Sequence, residues 1–328
     1  DGWSSVIVFK DVFELYFQHY TALPVPPKPT PFKAFVAWVR QQDFNLSKPF
    51  WQLTLRGFRA ATPLPGASPA ATSNNVFSKH VHVLSPQLST KITGFAREHK
   101  VTLYTVLQGA WALLLSMYSG EEDVVFGSTV SGRAVPTIPD IDSMVGMFIN
   151  TIPVRVVVRY GMKVSHWLRT IQEHQFDSIQ HEFTPLVQIQ SWSDVPKGEP
   201  LFETLLVLEN YPRITPALSK DNVRELQAPE SASVYIVKEE VHEIGTVPLT
   251  VVGRPSPNNQ IEMHFFFDTG RYPRGVAHVA ERLEAILAGL VDNTVDPEVN
   301  VVAQLPLCSS TETNRLMIEW NAKDSADS

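Results

Sequence analysis

From Val76 onward the apolar residues switch repeatedly between a strand-like and a helix-like period, and this alternation limits the fold more than any other feature of the chain. Val76–Leu84 alternates apolar and polar residues, the pattern of a half-buried strand. Ser85-Pro86 then supplies a helix N-cap and a first-turn proline, and Leu88, Ile92 and Phe95 continue the helix. Thr102 to Ser119 is apolar nearly all round and stops at Gly120, which predicts a buried helix. Further strands are expected at Val124–Val130, Met147–Val158, Phe202–Leu208, Val234–Val237, Leu249–Val252 and Ile261–Phe267, and helices at Val164–Gln180 and Arg274–Val291. With no internal repeat of solenoid length, this order predicts an α+β fold, a mixed α/β sandwich.

The segment before Val76 has a different texture. Val6, Phe9, Phe13 and Tyr16-Phe17 recur at helical spacing, and the run from Ala22 to Pro29 is too rich in proline to continue a helix. A second helix carries Phe32, Phe35, Val36 and Val39 on one side, and Trp51, Leu53 and Leu55 lead into Ala60–Asn75. That stretch of Ala, Pro, Ser and Thr lacks apolar periodicity and is the best boundary candidate. At 328 residues the chain has room for about two domains or one two-lobed unit. Its 44% hydrophobic content suffices for a sizeable core.

Charge and cysteine usage exclude several function classes. The balance of 27 Lys+Arg against 34 Asp+Glu, net −7, argues against a general nucleic-acid binder. No apolar run approaches the roughly 18 residues of a membrane-spanning helix. The single Cys308 excludes an internal disulfide framework or a cysteine-built metal site, and a reducing compartment suits it best. Gly127-Ser-Thr-Val-Ser-Gly132-Arg133 follows a predicted strand, but it lacks the Lys-Ser/Thr of a phosphate loop, and Pro136 and Pro139 prevent an orderly helix after it. It reads as a turn at a strand end. His80 and His82 share a strand face, and His174 and His181 lie on or near one helix face. Neither pair comes with a third ligand at useful spacing, so no metal site is predicted. There is no Gly-x-Ser-x-Gly elbow, and Cys308 in a terminal linker is a poor nucleophile.

Six less generic segments remain, in this order: Asp1-Gly2-Trp3-Ser4; Phe32-Lys-Ala-Phe-Val-Ala-Trp38 with Gln41-Gln42; Gly127–Arg133; Met144-Val-Gly146-Met-Phe148-Ile-Asn150-Thr151-Ile-Pro153-Val-Arg155; His181-Glu-Phe-Thr-Pro185-Leu; and Pro200-Leu-Phe202 through Glu209-Asn210-Tyr211-Pro212. Together they resemble the condensation domain of nonribosomal peptide synthetases, over essentially the whole chain. Leu305-Pro-Leu307 and Ile318-Glu-Trp320-Asn321 resemble the linker that precedes an adenylation domain. Two departures stand out. Phe32 and Ala34 replace the family's usual Tyr and Asp, so a local hydrogen bond is expected to be missing. The family signature His-His-x-x-x-Asp-Gly enters this sequence only at its Asp, and the second His would lie four residues before Asp1.

The resemblance implies a chloramphenicol acetyltransferase-like fold of two lobes with a tunnel between them. Residues 1–75 would end the N-terminal lobe, 76–304 would form the complete C-terminal lobe, and 305–328 would begin the linker. It implies amide formation between a carrier-bound acyl or peptidyl thioester and a carrier-bound aminoacyl group. The 4′-phosphopantetheine arms belong to upstream and downstream carrier proteins, and no cofactor is held directly. The chain would be a monomeric part of a longer cytoplasmic polypeptide, next to an adenylation domain, and inactive by itself without the histidines. By the same resemblance, Asp1 forms a structural salt bridge with Arg155 across the lobe junction, and Gly2 lies near the reacting thioester. Trp3, Ser4, Gly146, Phe148, Asn150 and Thr151 line the site or tunnel, and Phe202, Glu209, Asn210, Tyr211 and Pro212 belong to a lobe-bridging segment. The alternatives are a non-catalytic carrier-docking module and a coenzyme A-dependent acyltransferase of the same fold. Epimerisation and cyclisation variants also remain.

Overall fold

The computed structural model describes residues 1–18, 30–67, 72–210, 247–256, 258, 260–292, 302 and 305. Its first helix, α1 (Gly2–Gln18), starts where it does because Asp1 caps it. The Asp1 carboxylate accepts the N–H of Trp3 at 3.0 Å, and its carbonyl accepts that of Ser5 at 3.2 Å. α2 (Lys33–Arg40) buries Phe35, and α3 (Lys48–Leu55), with a proline in its first turn, buries Trp51 and Leu55. The run from Ala22 to Pro29 lies outside the described residues.

Beyond residue 76 the chain alternates as its periodicity predicts. β1 (Phe77–Val83) is followed by α4 (Pro86–Glu98), where the Ser85 hydroxyl accepts the Leu88 N–H at 3.2 Å. α5 (Leu103–Ser119) is capped by Thr102 and ended by Gly120, whose φ of +74° closes the last turn. β2 (Asp123–Val130), β3 (Asn150–Val157), α6 (Val164–Ile179), α7 (Leu186–Trp192), β4 (Thr204–Leu208), β5 (Leu249–Pro255), β6 (Ile261–Asp268) and α8 (Ala277–Leu290) complete the described strands and α-helices. The sheet order is β1-β6-β5-β4-β2-β3. β1, β6 and β5 pair antiparallel, whereas β5, β4 and β2 run parallel, so the sheet is mixed, as the expected mixed α/β class requires.

α5 is buried on every side because it packs against α4, α6, α8 and β4 at once. Trp111, Trp167, Ile92 and Phe265 are among the fully buried side chains of this core. The chain divides into two compact units. Among the described residues, one takes those of Asp1–Leu46 and Val130–Asn150; the other takes those of Ser47–Thr129, Thr151–Glu209 and from 247 onward. Residues 60–67 and 72–75 are stitched into the larger unit by polar side chains and a backbone N–H. Thr62 Oγ accepts the Val125 N–H of β2 at 2.8 Å, and Ser73 and Asn74 bond to Asp268 at the end of β6. A composition that reads as linker thus satisfies buried donors and acceptors.

Local departures from the expected elements are few. The strand expected from Met147 starts at Asn150, because the N–H groups of Gly146 and Phe148 are taken by Ser4 and Asp1 instead of a ladder. The strand expected at Val124–Val130 forms as β2, and the turn at its end is confined to residues 131–133. β2 runs through Val130, and Gly127 is mid-strand under the Phe202 ring, where an added Cβ would come within 2.4 Å of it. Finally, α7 was not anticipated; it is a short helix that packs on α3. The expected strand at Val234–Val237 and the segment 306–328 lie outside the described residues.

Candidate functional site

Within the smaller unit, the N-terminal turn of α1 and the loop between β2 and β3 are tied together by three side chains. Asp1 uses both carboxylate oxygens. Oδ1 caps the helix through the N–H groups of Trp3 and Ser4, while Oδ2 accepts Arg133 Nη2 at 3.1 Å and the Phe148 N–H at 3.3 Å. Ser4 Oγ donates to the Gly146 carbonyl at 2.8 Å and accepts from the Gly146 N–H at 3.0 Å and from Arg133 Nη2 at 3.1 Å. Its hydroxyl is then fully used, with one donor and two lone pairs engaged.

Arg133 is the centre of the cluster. Its Nη1 donates to the carbonyls of Ile141 at 2.6 Å and Met144 at 3.1 Å, and its plane lies 4.0 Å from the Phe148 ring and 5.4 Å from that of Trp3. The Arg133 and Asp1 side chains are only 3% and 2% exposed. Burial pulls the guanidinium below its ordinary pKa and Asp142 pushes it back; the group remains a cation. Trp3 adds a bond from its indole N–H to the Asp142 carbonyl at 2.9 Å.

The backbone here is shaped by two glycines. Gly132 has φ +62°, and an added Cβ would lie 1.9 Å from the Phe148 carbonyl oxygen, so no side chain is tolerated where the two ends of the loop meet. At Gly146 a Cβ would strike the Phe32 ring at 2.1 Å. Phe32 packs edge-on to Phe148 at 5.0 Å, and Phe35 lies 4.6 Å from Phe148. At the position where a Tyr was expected, Phe32 thus contributes ring packing.

The salt bridge expected between Asp1 and Arg155 is not the one formed. Arg133 holds Asp1, and Arg155 is committed to Asp123, with contacts of 2.8 and 2.5 Å. Arg155 also donates to the carbonyls of Thr54 and Arg56 at the end of α3, and the Asp123 bond raises its pKa. The signal for Arg133 was present but unread: it is the sole Lys or Arg between Asp123 and Arg155. Phe148, expected to line the site, is buried at 2% exposure beneath Arg133. Asn150 and Thr151 are half-buried at the start of β3. Phe202 is buried against Gly127. Glu209 pairs with Arg254 at 2.5 Å, and Asn210 is exposed. Tyr211 and Pro212 lie outside the described residues.

A separate cleft of about 890 Å³ lies in the larger unit, bordered by α3, β3 and α6, and both His174 and His181 open onto it. His181 stacks on Phe50 at 4.2 Å, and its Nδ1 bonds Ser47 Oγ at 2.9 Å. Burial lowers its pKa, so it is neutral near pH 7. His82 bonds Glu284 at 2.6 Å. Among the described residues no three His, Cys, Asp or Glu side chains converge as a metal site would require. Nor is any single described helix long and apolar enough to cross a membrane.

Comparison with known proteins places this geometry. Residues 1–317 match the family described as the condensation domain. The chain is 36% identical over 331 residues to a linear gramicidin synthase of Brevibacillus parabrevis, an alignment covering 99% of the chain and 6% of that protein. It is also 36% identical to chondramide synthase cmdD of Chondromyces crocatus, across 100% of the chain and 8% of the relative. The chain therefore spans less than a tenth of these relatives' length. Among solved structures, the first condensation domain of the calcium-dependent antibiotic synthetase superposes with a TM-score of 0.70 at 16% identity, over 94% of this chain and 65% of that one. A holo four-domain nonribosomal peptide synthetase gives 0.70 at 19% identity, over 94% of this chain and 24% of its own. At these identities the two structures establish the likeness of fold.

Proposed function

The chain belongs to the condensation-domain family of nonribosomal peptide synthetases, and from that premise we propose that it helps to join a carrier-bound acyl or peptidyl thioester to a carrier-bound aminoacyl amine. The observation that carries this reading is the buried Asp1–Arg133 pair with Ser4 bridged to Gly146. It fixes the helix start that follows the family's histidine pair, so the residues around Gly2 keep one geometry whatever substrate arrives.

In the reaction the amine nitrogen attacks the thioester carbonyl, a tetrahedral oxyanion forms, and the pantetheine thiol leaves as the amine loses its proton. The family's second histidine, four residues before Asp1 in the motif, takes the proton-handling or dipolar role. Asp1 is a structural anion here, because its oxygens are spent on Arg133 and on backbone N–H groups. In the first turn of α1, the N–H groups of Trp3 and Ser4 go to the Asp1 side chain and that of Ser5 to its carbonyl. The Gly2 N–H takes part in none of these bonds, and we assign it to the oxyanion, where a helix start adds favourable potential.

The partners implied are an upstream and a downstream carrier protein bearing 4′-phosphopantetheine, with an adenylation domain beyond the segment that contains Ile318–Asn321, in a cytoplasmic assembly line. The test is an amide-forming assay with the intact synthetase and two loaded carrier proteins, the product released and weighed by mass spectrometry. The expected product is the condensed aminoacyl species on the downstream carrier. Carrier binding without any condensed product would support a docking module instead, and acyl transfer from free coenzyme A would support the acyltransferase alternative.

A further inference from the structure

In β5 and β6, Val251, Met263 and Phe265 join the core around α5, so Val252, Arg254, Glu262 and His264 point to the opposite face of the sheet. The register sets Leu208 beside Gly253 and Arg254 opposite Glu262. Glu209, Arg254 and Glu262 thus line up as a row of alternating charge across three strands of the larger unit. Arg254 meets the Glu209 carboxylate through two nitrogens, Nε at 2.5 Å and Nη2 at 3.0 Å, a fork that fixes direction as well as distance. The parallel pairing of β2 with β4 reaches Leu205 and Leu206, and Glu209 is followed by the exposed Asn210. The end of β4 is therefore held from the side of β5, by the Glu209 N–H donating to the Gly253 carbonyl at 2.9 Å and by Arg254.

His264 backs this clamp. Its Nδ1 lies 3.3 Å from Arg254 Nη1, and its Nε2 lies 3.0 Å from Glu262 Oε2. A guanidinium donates and never accepts, so Nδ1 is the acceptor and the neutral ring carries its proton on Nε2, toward Glu262. A second proton would turn Nδ1 into a donor facing a donor, on a side chain only 7% exposed. The charged groups around the ring are Arg254 from β5, Lys79 from β1, which lies 5.3 Å from the neighbouring Phe266 ring, and Glu262 on β6, with Glu209 behind Arg254. Burial, then Arg254 and Lys79, oppose a charge on His264, and Glu262 favours one. Burial leads, and the ring titrates below its ordinary value of 6.5.

We propose that His264 is a proton-operated catch, whose protonation dislodges Arg254 and loosens the end of β4 at Glu209. The clamped state holds the neutral ring, whereas a released ring titrates normally. The clamp is therefore complete above about pH 6.5 and is lost progressively as pH falls below it.

The test is amide hydrogen exchange of the intact synthetase at about pH 7.5 and about pH 5.5, corrected for the intrinsic pH dependence of exchange, a window above the ordinary range of carboxylates. Opening of residues 207–209 should rise about fivefold on acidification, the worth of one ordinary hydrogen bond, while α5 stays protected. His264→Asn cannot take the charge and should lose the response. Arg254→Met should open the same residues already at the higher pH and respond no further to acid. If His264→Asn fails to fold, seen as an unprotected α5, the wild type and Arg254→Met still decide. Equal protection of residues 207–209 in the wild type at both pH values overturns the inference. So does a response of undiminished size in either folded variant, which would assign the titration to another group.

Discussion

Arg133 is held by four hydrogen bonds and two ring faces, and it neutralises a carboxylate that is itself out of reach of water. Removing one side of such a pair leaves an uncompensated buried charge, so Arg133→Met is expected to destabilise the protein by about 3–5 kcal/mol. Arg133→Lys should recover only part of this, because an ammonium can meet Asp1 but cannot reproduce the fork to the Ile141 and Met144 carbonyls. Asp1→Asn should cost less than Arg133→Met, since an amide oxygen still caps α1. Urea unfolding of the intact synthetase, followed through the condensation domain, gives the order. Equal midpoints for Arg133→Met and wild type would contradict the account. At this scale the family resemblance pointed to Asp1 and Ser4, which the structure brings together, but it gave Asp1 the wrong partner. Two residues separated by 132 positions carry no local signature of pairing. Arg155 was assigned to Asp1 by resemblance alone, and nothing in its local sequence announced that Asp123, across the loop, already claims it.

Secondary elements were far easier to read, because each strong one has its own period and its own caps. α4 and α5 begin at Ser85 and Thr102 as their side chains dictate, and both hydroxyls bond as N-caps. The failures came where backbone groups leave the ladder, as at Gly146 and Phe148, or where polar side chains build structure without a period. The strap before β1 is the latter case. Asp268, at the end of β6, accepts the Ser73 hydroxyl, the Gly270 N–H at 2.8 Å and the N–H groups of Asn74 and Arg271 at 3.4 Å. Burial resists ionisation of Asp268, but these donors outweigh it and hold the carboxyl below its ordinary value of 3.8. A carboxylate lowered on folding contributes stability that is complete above its unfolded pKa and is lost as pH falls toward its folded one. The strap should therefore hold at pH 7 and loosen below about pH 4, seen as faster hydrogen exchange in residues 72–76. In Asp268→Asn the exchange should already be fast at pH 7. A variant whose strap stays as protected as the wild type would refute the role of the charge.

For the whole molecule, chain connectivity makes the two units unequal. Residues 130–150 of the smaller unit are inserted between β2 and β3, so both ends of this excursion are strands of the larger one. Losing the larger unit removes those anchors, whereas losing the smaller leaves the sheet order and the core around α5 intact. Two variants expose this asymmetry. Leu113 is fully buried in the core, and Leu113→Ala should cost about 2–5 kcal/mol. In the intact synthetase it should raise amide exchange in α5 and in residues 141–149 together, because the second segment is hung from the larger unit's strands. Arg133→Met should raise exchange in residues 2–8 and 141–149 and leave α5 as protected as before. Local opening of this kind is read directly by native-state exchange, since separate cooperative units open with separate free energies. If Arg133→Met unprotected α5 to the same extent as Leu113→Ala, the two units would be one cooperative body. The geometry of the helix start would then depend on every residue of the core as much as on Asp1, Ser4 and Arg133.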